Sequence, residues 1–170
     1  MSDLISEKLQ LTEGSLVLDY GCGLGRLSRE LIRRHKCFVI GVDISSRMRA
    51  LAVDWVGSPN FTACSAEYLP LMRECDAAIC VWTLQHCLKP HDDLDNIKNA
   101  MKDWSKLFVV NSERRWLPTT HEGEQAWIDD KLDMKKIIPE KFSLVENGEC
   151  DPAFVSDLPI QRPWWGLYVK

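Results

Sequence analysis

The segment that most constrains this chain is Leu18-Asp19-Tyr20-Gly21-Cys22-Gly23-Leu24-Gly25-Arg26. It joins an apolar run of strand length, Ser15 to Tyr20, to a stretch of helical period, Arg26 to Lys36, with apolar residues at 27, 31 and 32. Glycines at alternate positions let the main chain turn sharply and approach a ligand with no side chains between, while the following helix presents unpaired N–H groups. The ligand end of such a unit lies at the carboxyl ends of the strands. A second element sits at a matching distance: Asp43 closes the next strand, Phe38 to Asp43, 18 residues past Gly25. A carboxylate about 20 residues beyond the glycines is placed to accept both hydroxyls of a ribose, so a nucleotide-like ligand is expected.

The rest of the chain repeats this alternation. Strands are expected at 61–64, 75–82, 107–111, 142–145 and 164–169, with helices from Ser45 or Ser46 to about Val56, at 92–103 and at 128–138, the last stopped by Pro139. The stretch 114–125 reads as a long loop of the kind that carries function. Strand and helix in alternation predict an α/β fold with a single, mostly parallel, doubly wound sheet. At 170 residues with 45% hydrophobic content, the chain is expected to form one domain, residues 1–170, with a self-sufficient core. The basic run Arg33-Arg34-His35-Lys36 reads as a helix end rather than a phosphate site. No apolar run reaches the roughly 20 residues of a membrane span, and the N-terminus lacks signal-peptide features, so no membrane association and a cytoplasmic location are expected. A formal charge of −4 disfavours nucleic acid as a partner. The seven cysteines form no C-x-x-C pair and read as reduced, buried thiols, with no metal site.

The spacing narrows the ligand. Nicotinamide and flavin sites use G-x-G-x-x-G, whereas here the glycines run G-x-G-x-G, and Asp19 stands two residues before the first. A carboxylate at that turn opposes a pyrophosphate but suits an ammonium and a sulfonium, the charges of S-adenosylmethionine. From about Gly14 to Val110 the sequence resembles the class I S-adenosylmethionine-dependent methyltransferases. The resemblance implies a Rossmann-like sheet of seven strands, order 3-2-1-4-5-7-6, with strand seven antiparallel. It implies that Asp19, Gly21, Cys22, Gly23 and Gly25 hold the methionyl end of the cofactor, that Asp43 takes the ribose hydroxyls, and that Ile44 and Met48 pack on the adenine. Ser65, Ala66 and Glu67, within Cys64-Ser65-Ala66-Glu67-Tyr68-Leu69-Pro70, fall where the family bonds the adenine edge, although Ser65 replaces the usual aspartate. Cys80 to His86, including Val81 and Trp82, resembles the loop after strand four in the small-molecule branch and would line the methyl-transfer site.

Such a reaction is in-line displacement at an activated methyl carbon, where alignment alone contributes up to roughly 7–11 kcal/mol. If a base takes part, His86 is the candidate, and the competing reading is that it only orients Gln85. Trp82, Gln85, His86, Arg114 and Trp116 are the candidate substrate contacts, with Arg115 as an alternative to Arg114. Trp104, Trp127, Trp164 and Trp165 are expected to be packing residues. The expected acceptor is a small molecule methylated on oxygen, nitrogen or carbon, with S-adenosylhomocysteine as the second product. The other readings are a cofactor-binding regulatory subunit without turnover, and a methyltransferase of protein or RNA. A homodimer or a partner protein stays open.

Overall fold

A computed structural model describes residues 1–121, 123–151 and 163–170, with the side chain of residue 121 outside that set. The chain opens with helix α1 (Ser2–Leu9) and then runs β1 (Leu16–Tyr20), α2 (Arg26–His35), β2 (Phe38–Val42), α3 (Ser46–Val56), β3 (Phe61–Cys64) and β4 (Cys75–Val81). It continues with α4 (Pro90–Asn99), β5 (Met101–Ser112), β6 (Leu117–His121), β7 (Glu124–Ile128), α5 (Met134–Ile137), β8 (Ser143–Glu149) and β9 (Pro163–Val169). Short 3-10 turns cover Ala66–Leu71, Leu84–His86 and Ile138–Glu140.

Seven strands form one sheet in the order β3-β2-β1-β4-β5-β9-β8. The first five are parallel, and β9 runs antiparallel to both β5 and β8. The family's expected order is thus met in kind, with the numbering displaced because β6 and β7 pair separately as a two-stranded hairpin. That hairpin is a correction to the single-sheet expectation and to the expected 114–125 loop.

The helix expected at 128–138 also fails, for a local reason. Asp129 and Asp130 accept the main-chain N–H groups of Lys131 and Leu132, at 2.9 and 3.1 Å, and these side-chain turns compete with helical bonding. Helix starts only after Asp133 caps Lys135 N–H, and it lasts four residues. The 92–103 helix instead begins at Pro90 and ends at Asn99, and β5 starts at Met101, well before the expected residue 107. The early part of β5 is irregular: its register against β4 shifts between Cys75 and Ala77, and Trp104 takes a left-handed φ of 64°.

Alternation along the central strands sends side chains to two cores. Leu18, Ile40, Cys80, Leu107 and Trp164 pack on one face of the sheet, and Val17, Val39, Ile79, Phe108 and Trp165 on the other. Trp164 and Trp165 therefore are packing residues, but Trp104 and Trp127 are not buried, being 84% and 51% exposed. All seven cysteines are free, and all but the half-buried Cys87 are buried. The basic end of α2 is a helix terminus as expected, with Arg33 and Arg34 both paired to Glu30. Among the described residues no helix is long and apolar enough to cross a membrane, and no group of three or more His, Cys, Asp or Glu is placed to hold a metal ion.

Candidate active site

Two neighbouring strand ends build the first half of the site. As β1 leaves the sheet, the N–H groups of Gly21 and Cys22 both donate to the Val42 carbonyl at the end of β2, at 2.7 and 2.8 Å, which folds the turn over β2. The three glycines have positive φ of 84°, 53° and 73°, but a Cβ at each would meet different things. At Gly21 it would lie 2.0 Å from Thr83 Oγ1, and at Gly25 2.6 Å from Val56 of α3. At Gly23 it would find only Met48 Cε, 3.9 Å away, so the middle of the turn faces open space. Gly21 and Gly25 allow packing, while Gly23 leaves the main chain approachable.

Asp43 secures this open point. Its Oδ2 accepts the Gly23 N–H at 3.0 Å and its Oδ1 accepts the Ser45 N–H at 2.9 Å, leaving further lone pairs on both oxygens. Ser45 caps α3 by accepting from Met48 N–H. Arg49, on the next turn, donates to the carbonyls of Asp43 and Ile44 at 2.7 and 3.1 Å. The main chain at residue 44 is thus fixed, yet its isoleucine side chain is 99% exposed.

Asp19 lies beneath the turn, buried, with Oδ2 accepting from Ser28 Oγ at 2.5 Å. Burial pushes its pKa up to about 6; the Ser28 bond counteracts this in part, and the nearby negative charge of Asp43 adds to the rise. An apolar, acidic and main-chain-lined cradle of this kind suits a nucleoside with a cationic tail. Burial holds the Cys22 thiol of the same turn well above its ordinary range, so it is a packing group.

The second half of the site is the loop after β4. Trp82 turns the chain with a left-handed φ of 59°, its N–H still bonded to the Val110 carbonyl. The buried Gln85 that follows uses every polar group it has. Its N–H donates to Asn111 Oδ1, its Oε1 accepts Ser112 N–H, its carbonyl accepts Trp116 N–H, and its Nε2 lies 3.1 Å from His86 Nε2. His86 Nδ1 is 2.7 Å from the Trp116 carbonyl. A carbonyl can only accept, so Nδ1 carries the proton and Nε2 is left as the basic atom, receiving the Gln85 amide. The ring also meets Trp127 edge-on, with centroids 5.8 Å apart.

Beneath this loop lies Arg115, 1% exposed. It donates to the Leu84 and Cys87 carbonyls at 2.8 and 2.5 Å and pairs with Asp130 at 2.9 Å. Arg114, the expected substrate contact, is exposed. Trp116 Nε1 is buried without a hydrogen-bond partner among the described residues. The structure therefore brings Gln85, His86 and Trp116 together, packs Trp82 against the Val17 and Val110 core, turns Arg115 rather than Arg114 inward, and adds Asp130 and Arg49, which no sequence pattern marks.

A family model described as methyltransferase domain matches residues 17–104. Over 83 residues the chain is 32% identical to cyclopropane-fatty-acyl-phospholipid synthase of Escherichia coli, which covers 49% of this chain and 22% of that protein. Over 114 residues it is 26% identical to an O-methyltransferase of Aspergillus nomiae, covering 63% of this chain and 51% of that one. The match thus spans between about a fifth and a half of these relatives' lengths. Among solved structures, phosphoethanolamine N-methyltransferase 2 of Haemonchus contortus in complex with S-adenosylmethionine superposes with a TM-score of 0.73 at 16% identity, over 99% of this chain and 51% of that one. At that identity the likeness is one of fold.

Proposed function

The chain belongs to the methyltransferase-domain family, and from that premise we propose that it moves a methyl group from S-adenosylmethionine to an oxygen, nitrogen or carbon of a small-molecule acceptor. The observation that carries this reading is the pairing of an open Gly23 with an Asp43 carboxylate bonded to its N–H, beside a fixed and fully exposed Ile44. Open main chain, a carboxylate with lone pairs to spare and an apolar ledge fit a ribonucleoside, and the acidic Asp19 below fits its cationic tail.

In this reading the turn of Gly21, Cys22, Gly23 and Gly25 holds the methionyl end, with Asp19 supplying negative charge. Asp43 accepts the ribose hydroxyls, and Ile44 and Met48 flank the base. Ser65, Ala66 and Glu67 line its edge, and Val81 and Trp82 close the site toward the acceptor. When bound, the cofactor supplies a methyl carbon activated by its positive sulfur. The chain's task is then alignment and exclusion of water. Trp82, Gln85, His86, Arg114 and Trp116 surround the acceptor, and the Trp116 indole Nε1–H, unpartnered among the described residues, is a donor for one of its oxygens. His86 takes the acceptor's proton at Nε2, in exchange for the Gln85 N–H that occupies that atom.

Titration calorimetry with S-adenosylmethionine and S-adenosylhomocysteine tests the first half: binding tighter than about 1 mM is expected, and none in that range for either overturns the reading. A metabolite panel assayed for S-adenosylhomocysteine release tests the second half. On an acceptor so found, His86→Ala should lower turnover on the order of 10²-fold while cofactor affinity holds.

A further inference from the structure

The hairpin of β6 and β7 stands apart from the main sheet, and its two faces differ. Pairing puts Leu117 opposite Ile128 and Thr119 opposite Ala126 on one face, and Pro118 opposite Trp127 and Thr120 opposite Gln125 on the other. Leu117 is buried, and Thr119 and Ala126 are half-buried, whereas the residues of the second face are exposed. Trp127, on that exposed face, still reaches the candidate site: its ring lies 5.8 Å from that of His86, with the two planes inclined at 61°. The ends of the hairpin are tied to the same loop. Arg115, just before β6, pairs with Asp130, just after β7, and donates to the Leu84 and Cys87 carbonyls on either side of Gln85 and His86. Trp116 adds two more ties, its N–H donating to the Gln85 carbonyl and its own carbonyl accepting from His86 Nδ1.

The Trp127 ring is therefore carried to His86 by its main chain and not drawn there by burial. Half of a large apolar side chain stays in water beside the imidazole, where packing gains little from it. Two flat rings inclined to one another form a corner. A flat molecule laid on the indole brings its edge, and a hydroxyl or amino group on that edge, toward the imidazole. We infer that Trp127 is an acceptor-binding residue and that the acceptor it selects is planar, an aromatic ring bearing the hydroxyl or amino group to be methylated. The inference rests on the methyl-transfer reading above and goes beyond it by bringing a hairpin residue into the site and by naming the shape of the acceptor. The acceptor's lone pair bonds the methyl carbon as the C–S bond breaks with its electrons staying on sulfur, and the acceptor's proton passes to His86 Nε2. Trp127 takes no part in that exchange; it aligns the ring whose substituent reacts.

The test uses the full chain saturated with S-adenosylhomocysteine and matched probes that differ in planarity: phenol with cyclohexanol, catechol with cis-cyclohexanediol, and naphthol with decalol. Affinities are read by ligand-observed NMR. At least one planar probe should bind about tenfold tighter than its saturated partner, because stacking adds to the burial of indole surface. Trp127→Ala should shrink that preference to within about threefold by weakening the planar probe alone, and Trp127→Phe should restore most of it. Affinity for S-adenosylhomocysteine should hold within about twofold in both variants, since an exposed ring on a separate hairpin can be truncated with little effect on the rest of the fold. Equal affinities within every pair, no binding of any probe, or a preference that Trp127→Ala leaves intact overturns this inference while the cofactor reading stands. Failure of the unaltered protein to bind S-adenosylhomocysteine overturns the cofactor reading and this inference with it.

Discussion

The glycine turn and the loop after β4 meet where Thr83 packs over Gly21, yet they are held in opposite ways. The turn is built mostly from main chain: Gly21 and Cys22 share the Val42 carbonyl, Gly25 N–H returns to Cys22, and the Asp43 side chain takes the Gly23 N–H. The loop is built from side chains. Arg115 gathers Leu84, Cys87 and Asp130, and Gln85 gathers Asn111, Ser112, His86 and Trp116. A site made of main chain must repeat glycine where side chains would intrude, while a site made of side-chain bonds can draw its partners from anywhere in the fold. The first kind tolerates little change at the turn and much around it; the second concentrates its stability in one or two buried polar residues.

Arg115→Met is the most severe way to break this contrast. It takes the guanidinium away from the Leu84 and Cys87 carbonyls and from the Asp130 carboxylate, which keeps, among the described residues, only main-chain partners such as the Leu132 N–H, and loss of one member of a buried ion pair costs about 3–5 kcal/mol. Because Asp130 is a quarter exposed and can recover some hydration, the lower end of that range is expected in urea unfolding at neutral pH. Cofactor affinity of the folded protein should change by less than about threefold. An equal loss in both would mean that the two regions are one cooperative unit.

Asp19→Asn pushes the cofactor side in the other direction. In the folded chain Asp19 has a pKa of about 6 against an ordinary 3.8, so the native state binds more protons than the unfolded state between those values. Its contribution to stability is therefore greatest below pH 4 and falls as pH rises through 6. By pH 7 the ionised carboxylate costs up to about 3 kcal/mol, from roughly 1.36 kcal/mol per unit of pKa. The asparagine variant should be the more stable protein at pH 7, with the advantage vanishing toward pH 4, and should bind S-adenosylmethionine more than about tenfold less tightly. A variant less stable at pH 7 would show that the Ser28 bond outweighs desolvation.

Asp43→Ala comes next. It removes the acceptor of both the Gly23 and Ser45 N–H groups along with the expected ribose contact, so affinity for S-adenosylhomocysteine should fall more than about tenfold. Stability should drop less than in Arg115→Met, since both N–H groups lie near solvent. Unchanged affinity would reassign the ribose.

These differences also explain what could be read from the residues alone. The turn, Asp43, the Ser45 cap and the parallel core strands were legible because each is a local pattern: glycines at alternate positions, a carboxylate ending an apolar run, a serine before a helix. The acceptor side was legible only by position. Gln85, His86 and Trp116 do converge, but Arg115 and Asp130 belong to no pattern, and nothing in Arg114-Arg115 says which cation turns inward. The hairpin is not legible because Leu117 to Ile128 alternates weakly and follows a glutamate and two arginines, a composition shared with loops. Trp127 departs from the packing role that tryptophan usually has because the two-stranded hairpin has too little behind it to bury the ring.

The smallest expected effect falls on the residue with the largest proposed chemical role. His86 is exposed, and its two ring hydrogen bonds and the edge contact with Trp127 can be replaced in large part by water. One exposed and one part-buried hydrogen bond with a single aromatic edge contact contribute about 1–2 kcal/mol together, so His86→Ala should shift the unfolding free energy by about that much. Cofactor affinity should stay within about twofold, because the ring's hydrogen bonds among the described residues run to Gln85 and Trp116 and not to the glycine turn. The Gln85 amide then loses its acceptor but keeps Ser112, so the loop below should hold its shape. Slowed hydrogen exchange at Ser112 N–H, retained in the variant, is the measurement that checks it. Fast exchange there would show that the histidine, and not Arg115 and Gln85, keeps the acceptor side in place.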